Sequence, residues 1–200
     1  MFQHFIDKQA DDDSKIALNR RRLIKNLAFG AAGALLTLGS PEIAFAARSR
    51  YPSHKSIALQ NTHTGDQLKL TYFEKGRYIK AALREINFVL RDYRTGDIHP
   101  IDIELLDQLH DLKQNLGLNN RPFHIISGYR SPLTNSRLHI EGSGVANNSL
   151  HMQGRAIDIR IEGVNSHYVR NAALALQRGG VGYYPESDFV HLDTGKVRYW

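Results

Sequence analysis

The stretch "SLHMQGRAIDIRIE", Ser149–Glu162, decides how the second half of the chain folds. From Ala156 to Ile161 it alternates with a period of two, so the isoleucines share one face of a strand while Ala156, Asp158 and Arg160 share the other. The isoleucine face belongs to a core. Asp158 therefore points at whatever covers the opposite face, be it water, a basic partner such as Arg160 or a metal ion. His151 stands seven residues ahead of it.

After this strand, Val164–Gly179 carries a helix with Val169, Ala172, Ala173 and Leu176 inward, and "VGYY", "FVHLD" and "KVRYW" supply three short strands before Trp200. Ahead of it, Ser143–Ser149 is a loop of Gly and Asn, and "PFHIIS" (Pro122–Ser127) reads as a short buried strand entering the turn "GYRSP". Ile103, Leu106, Leu109, Leu112 and Leu116 mark a helix that ends at Gly117, and Tyr78, Ala82, Ile86, Val89 and Leu90 mark another. Gln67–Glu74 ("QLKLTYFE") alternates as a strand. Helices come mostly first and short strands mostly last, with hairpin-length links. That order predicts an α+β domain with an antiparallel sheet over residues 66–200. Residues 47–65, polar, with Pro52 and no periodicity, read as a linker or arm.

The 200 residues are 42% hydrophobic, enough for one globular core. The chain has no cysteine, which excludes disulfides, thiolate metal sites and cysteine nucleophiles, so any metal must be held by His, Asp or Glu. At the front, "NRRRLIKNLAFGAAGALLTLGSPEIAFAA" (19–47) runs from a basic segment through a short apolar one to Ala44, Phe45, Ala46. This is the order of an export signal cleaved after Ala46, and the apolar run is too short and too rich in Gly and Ala for a spanning helix. Arg20 and Arg21, followed at one residue's distance by Leu23, Ile24 and Lys25, fit the twin-arginine signal, which addresses a protein to the twin-arginine translocation machinery and the bacterial periplasm. No permanent membrane anchor is expected. Removing residues 1–46 takes away six positive and five negative side chains, so the formal charge falls only from +6 to +5. The basicity belongs to the exported domain and favours an anionic partner such as a cell-wall polymer, with nucleic acid unexpected outside the cytoplasm.

In "DFVHLD", Val190 and Leu192 alternate toward the core, leaving Phe189, His191 and Asp193 on the other face. If this strand neighbours the one holding Asp158, then His151, Asp158 and His191 converge as a His, Asp, His set, the three-ligand pattern of a catalytic zinc site. Such a site needs a carboxylate base and a cation for the developing oxyanion. Asp188, three residues before His191, is the first candidate base, with Asp193, Glu141 and Glu186 behind it; Arg130, in "SGYRS", is the candidate cation. Taken singly, each histidine could be solvated and each acid paired with a basic neighbour.

Three blocks together, "SGYRS" (127–131), "SLHMQGRAIDI" (149–159) and "FVHLDTG" (189–195), resemble the M15-type zinc peptidases, and "RGGVGYYPESDFVHLDTGKVRYW" is similar to their murein endopeptidase K branch. The resemblance covers the chain from about Gly65 to Trp200. It implies that His151, Asp158 and His191 bind Zn2+, that Arg130 steadies the tetrahedral intermediate and that Asp188 is the general base. It implies a hedgehog/D-Ala-D-Ala peptidase-like fold, a small antiparallel sheet with flanking helices, and peptidoglycan peptide stems as substrate, with the link between two diaminopimelate residues as one target. Two alternatives carry different outcomes: a zinc carboxypeptidase, which needs a cation such as Arg130 or Arg137 for a free carboxylate, and a wall-binding module without turnover.

Overall fold

The computed structural model describes residues 53–118, 121–142 and 146–200; the expected export signal and cleavage site lie outside them. Eight strands form one sheet in the order β3-β2-β1-β4-β5-β7-β6-β8. In chain order they are β1 (His54–Asn61), β2 (Gln67–Glu74), β3 (Arg77–Tyr78), β4 (Phe123–Ser127), β5 (Ala156–Arg160), β6 (Gly180–Tyr184), β7 (Phe189–Asp193) and β8 (Arg198–Tyr199). Helices α1 (Lys80–Val89), α2 (Ile103–Leu116), α3 (Pro132–Ile140) and α4 (Ser166–Ala175) flank it. The α+β expectation holds, although the sheet is larger than expected and mixed: β1 pairs with β4, and β6 with β8, in parallel.

One core joins the apolar stripes of α1 (Ala82, Ile86, Val89), α2 (Leu105, Leu106, Leu109, Leu112) and α4 (Val169, Ala173) to the inward residues of the strands, among them Ile157, Ile159, Val190 and Leu192. Asp102 caps α2 by accepting from the Glu104 amide, and Gly117 ends it in the left-handed conformation, as its place after the last periodic leucine predicts. Among the described residues no helix is long and apolar enough to cross a membrane.

Two elements depart from the sequence reading. Residues 54–61, expected within a linker, form β1, an interior strand paired with both β2 and β4. Its apolar content is confined to Ile57, Ala58 and Leu59, and the polar Asn61 is buried because it is satisfied: its Nδ2 donates to the Val89 carbonyl, and its Oδ1 accepts from the His63 and Thr64 amides. Helix α3 begins at the last residue of the expected turn "GYRSP" and runs on through residues to which the sequence pattern assigns no element. It lacks an amphipathic stripe, burying Thr134 and Asn135 and leaving Leu133 and Ile140 exposed. Its start is nevertheless marked by Ser131, which accepts from the Thr134 amide, and by Pro132 at the first helical position.

Candidate metal centre

The site is a set of rows across one face of the sheet. Asp158 on β5 sits opposite His191 on β7, which sits opposite Gly182 on β6. Because alternate residues share a face, Ala156, Asp193 and Gly180 lie on the same side one step along, and Phe189 and Tyr184 one step the other way. His151 reaches the row from a short 3-10 turn, Leu150–Gln153, capped by Ser149 and closed by Gly154. The turn is tied down at its centre, where the His151 carbonyl accepts from the Arg130 amide at 3.2 Å.

The three predicted ligands come together. His191 Nδ1 is 2.8 Å from Asp158 Oδ1 and 3.3 Å from His151 Nε2, and His151 Nε2 is 3.4 Å from Asp158 Oδ2. Taking one donor atom from each residue, all three lie within 4.8 Å of one another, close enough to share one metal ion. The outer bonds fix which nitrogen faces inward. His151 Nδ1 donates to the Gly128 carbonyl at 2.8 Å, freeing Nε2; His191 Nε2 donates to Asp193 Oδ2 at 3.1 Å, freeing Nδ1. No ion pair joins Asp158 to Arg160 among the described residues; its partners are the two histidines and Arg130.

Asp193 is fully buried and takes five hydrogen bonds: from His191, from the Gly180 and Gly195 amides, and two from the Arg198 guanidinium, the shorter at 2.6 Å. Burial alone would raise the Asp193 and Asp158 carboxyls, but these donors and the two histidines hold both well below the usual carboxylate range. Burial would likewise lower His191, yet its bonds to Asp158 and Asp193 win and raise it to about 9. The sign is consistent: the protonated ring stabilises the metal-free fold fully below the unfolded value near 6.5. That contribution is lost as pH rises through about 9. A metal must displace this proton from Nδ1. Calorimetric titration of zinc into chelator-stripped protein at pH 7.5, in buffers of different ionisation enthalpy, is therefore expected to show release of about one proton from His191, with affinity rising toward pH 9.

Arg130 is 8% exposed, with one guanidinium nitrogen 3.8 Å from Asp158 Oδ2. Its bonds to Asn135 and Ser127 are long, 3.5 Å each, and its buried Nε has no partner among the described residues. Burial pushes its pKa down against the pull of Asp158. Donors are thus held beside the ligands with capacity to spare. A cleft of about 420 Å³ opens over the cluster, and its lining includes Arg130, Asn148, Ser149, Tyr184, Phe189 and Trp200.

Asp188 is not brought to the cluster. It sits in the β6–β7 turn at φ 49, exposed, outside the residues lining the cleft. The turn sets its direction: Asp188 precedes the first residue of β7 and takes a left-handed conformation, where strand alternation does not apply. Glu141, Glu186 and Arg137 are also exposed and outside the lining. Asp193 does reach His191, as an orienting partner with every lone pair engaged. Sequence reasoning missed Trp200, Tyr184 and Asn135 as parts of the site. Of these only Tyr184 carried a signal, since alternation from Gly182 puts it on the ligand face.

Comparison with known proteins gives a consistent picture. The family described as peptidoglycan L,D-endopeptidase MepK matches residues 49–200. The protein of that name from Escherichia coli K12 is 42% identical over 186 residues, covering 93% of this chain and 99% of the relative, and the Shigella flexneri protein matches to the same extent. The probable peptidoglycan L,D-endopeptidase MepK of Haemophilus influenzae is 40% identical over 149 residues, covering 74% and 80%.

Proposed function

Because the chain belongs to the peptidase family of the peptidoglycan L,D-endopeptidase MepK, we propose that it hydrolyses peptide cross-links of peptidoglycan in the periplasm, using Zn2+ held by His151, Asp158 and His191. The bond joining two diaminopimelate residues is the target this reading favours, and the twin-arginine machinery is its export partner. The observation that carries it is the His, Asp, His cluster with both outer ring nitrogens already bonded, lying at the floor of an open cleft.

Bound there, zinc supplies a Lewis acid that lowers the pKa of water and polarises an amide carbonyl. The protein supplies the rest. Gly128 and Asp193 fix the tautomers of His151 and His191, and the partly unsatisfied Arg130 guanidinium is placed to take charge that develops on the carbonyl oxygen. The cleft-lining carboxylates, Asp158 and Asp193, are both engaged, so this reading assigns neither as general base.

Arg130→Ala is expected to lower kcat by about a hundredfold to a thousandfold with zinc content unchanged, and Arg130→Lys to restore only part, since an ammonium lacks the planar fork. Metal analysis beside steady-state kinetics checks both. The test of the reading itself is digestion of purified sacculi with and without a chelator, the fragments resolved by mass. Chelator-sensitive conversion of cross-linked dimers to monomers supports it. Loss of terminal residues alone would indicate a carboxypeptidase, and no release by zinc-loaded protein would indicate a binding module.

A further inference from the structure

The row that holds the ligands continues past them. Beyond His191 comes Gly182, and beyond Gly182, one residue past the parallel strand β8, comes Trp200, locked by its amide on the Val181 carbonyl at 3.2 Å and its carbonyl on the Tyr183 amide at 3.0 Å. The indole lies over Gly182: a Cβ there would meet it at 2.7 Å, so this close approach requires glycine. Its ring centre is 5.3 Å from that of His191 and its Nε1 donates to the Tyr184 hydroxyl at 2.9 Å. Tyr184 in turn stacks on Phe189 at 4.5 Å. All three rings line the cleft; the Arg198 guanidinium carbon lies 5.1 Å from the indole centre, and Trp200 still remains 51% exposed, so apolar ring surface beside His191 is left open to the cleft.

Resting on the endopeptidase reading, we infer that Trp200, Tyr184 and Phe189 form an aromatic shelf that binds the methylene chain of a diaminopimelate residue beside the scissile bond, making Trp200 a specificity-determining residue. The lining also includes the polar Asn148, Ser149 and Arg130, which suit the peptide backbone and its carboxylates. A flat aromatic face suits the opposite requirement, a stretch of CH2 groups with no hydrogen bonds to satisfy. A diaminopimelate-linked stem presents such a stretch on each side of the cut. A link made through D-alanine presents only a methyl group on the donor side.

The experiment uses two purified muropeptide dimers, one linked diaminopimelate to diaminopimelate and one linked D-alanine to diaminopimelate, with the zinc-loaded protein and its Trp200→Ala, Trp200→Phe and Gly182→Ala variants. Trp200→Ala is expected to raise KM for the first dimer about tenfold or more, with kcat within about threefold and zinc affinity unchanged. Gly182→Ala, by displacing the indole, should do the same, and Trp200→Phe should recover part. Preference for the first dimer over the second should narrow in step. An unchanged KM in Trp200→Ala overturns the shelf, as does a loss that falls equally on both dimers together with weaker zinc binding, which would make Trp200 a prop for His191. Wild-type protein that leaves the first dimer intact overturns the endopeptidase reading, and the assigned ligand of the shelf with it.

Discussion

Asp158→Ala is expected to abolish zinc retention and to lower cleavage of cross-linked muropeptides on the order of a thousandfold or more. In the proposed site Asp158 is the one carboxylate among the three ligands, and it lies within 3.8 Å of His151, His191 and Arg130. Without it, two neutral imidazoles and a cation would face the metal in a buried site, which favours an empty one. Asp158→Asn tests the charge separately, since it keeps the shape and one oxygen while removing the anion, and it should lose nearly as much. His151→Ala and His191→Ala belong to the same series. Metal stoichiometry after dialysis checks each variant, and wild-type zinc content in any of them would remove that residue from the site.

The second large effect is expected at Asp193, which on this account touches neither metal nor substrate. Asp193→Ala leaves a set of donors without their acceptor: the His191 ring, two backbone amides and the partly exposed Arg198 guanidinium. Zinc affinity should fall about 10-fold to 100-fold, because His191 loses the bond that sets its tautomer and orientation. The fold should also weaken by about 2–3 kcal/mol, below the usual figure for a broken buried pair because the Arg198 side chain is 44% exposed and water can reach it. Asp193→Asn should spare much of the stability, since an amide oxygen still accepts, while zinc affinity drops about tenfold. Denaturant unfolding of zinc-free protein, set beside chelator competition, separates the two losses. If affinity were untouched in both variants, Asp193 would be serving the fold alone.

Much of the site was legible because a strand's alternation needs no knowledge of its neighbours. "AIDIRI" and "FVHLD" each assign an inner and an outer face unaided, and the structure pairs them with Asp158 opposite His191. What alternation could not supply was which strands lie side by side, because pairing is settled by contacts across the whole chain. Hence β1, with three apolar residues among polar ones, read as an arm although it lies between β2 and β4. Hence also Trp200, whose part in the site depends on β8 folding back beside β6, and Asp193, whose role depends on Arg198 and two amides arriving from separate turns. Asp188 went the other way: proximity in sequence suggested a role, and the structure sets the residue in the exposed β6–β7 turn, outside the cleft lining.

The cross-strand row has a consequence for how such a protein can change over time. Its members are about 4.8 Å apart by strand spacing alone, and a shift of one residue within any strand turns the whole outer face inward. A single-residue insertion or deletion inside β7 would present Val190 or Leu192 to the metal and bury His191, with no graded intermediate. The β6–β7 turn, Pro185–Asp188, is exposed and none of its residues lines the cleft, so a change of length there leaves the row in register. Lineages of this domain should therefore record their history of insertions in that turn and almost none in the five-residue strands on either side of it.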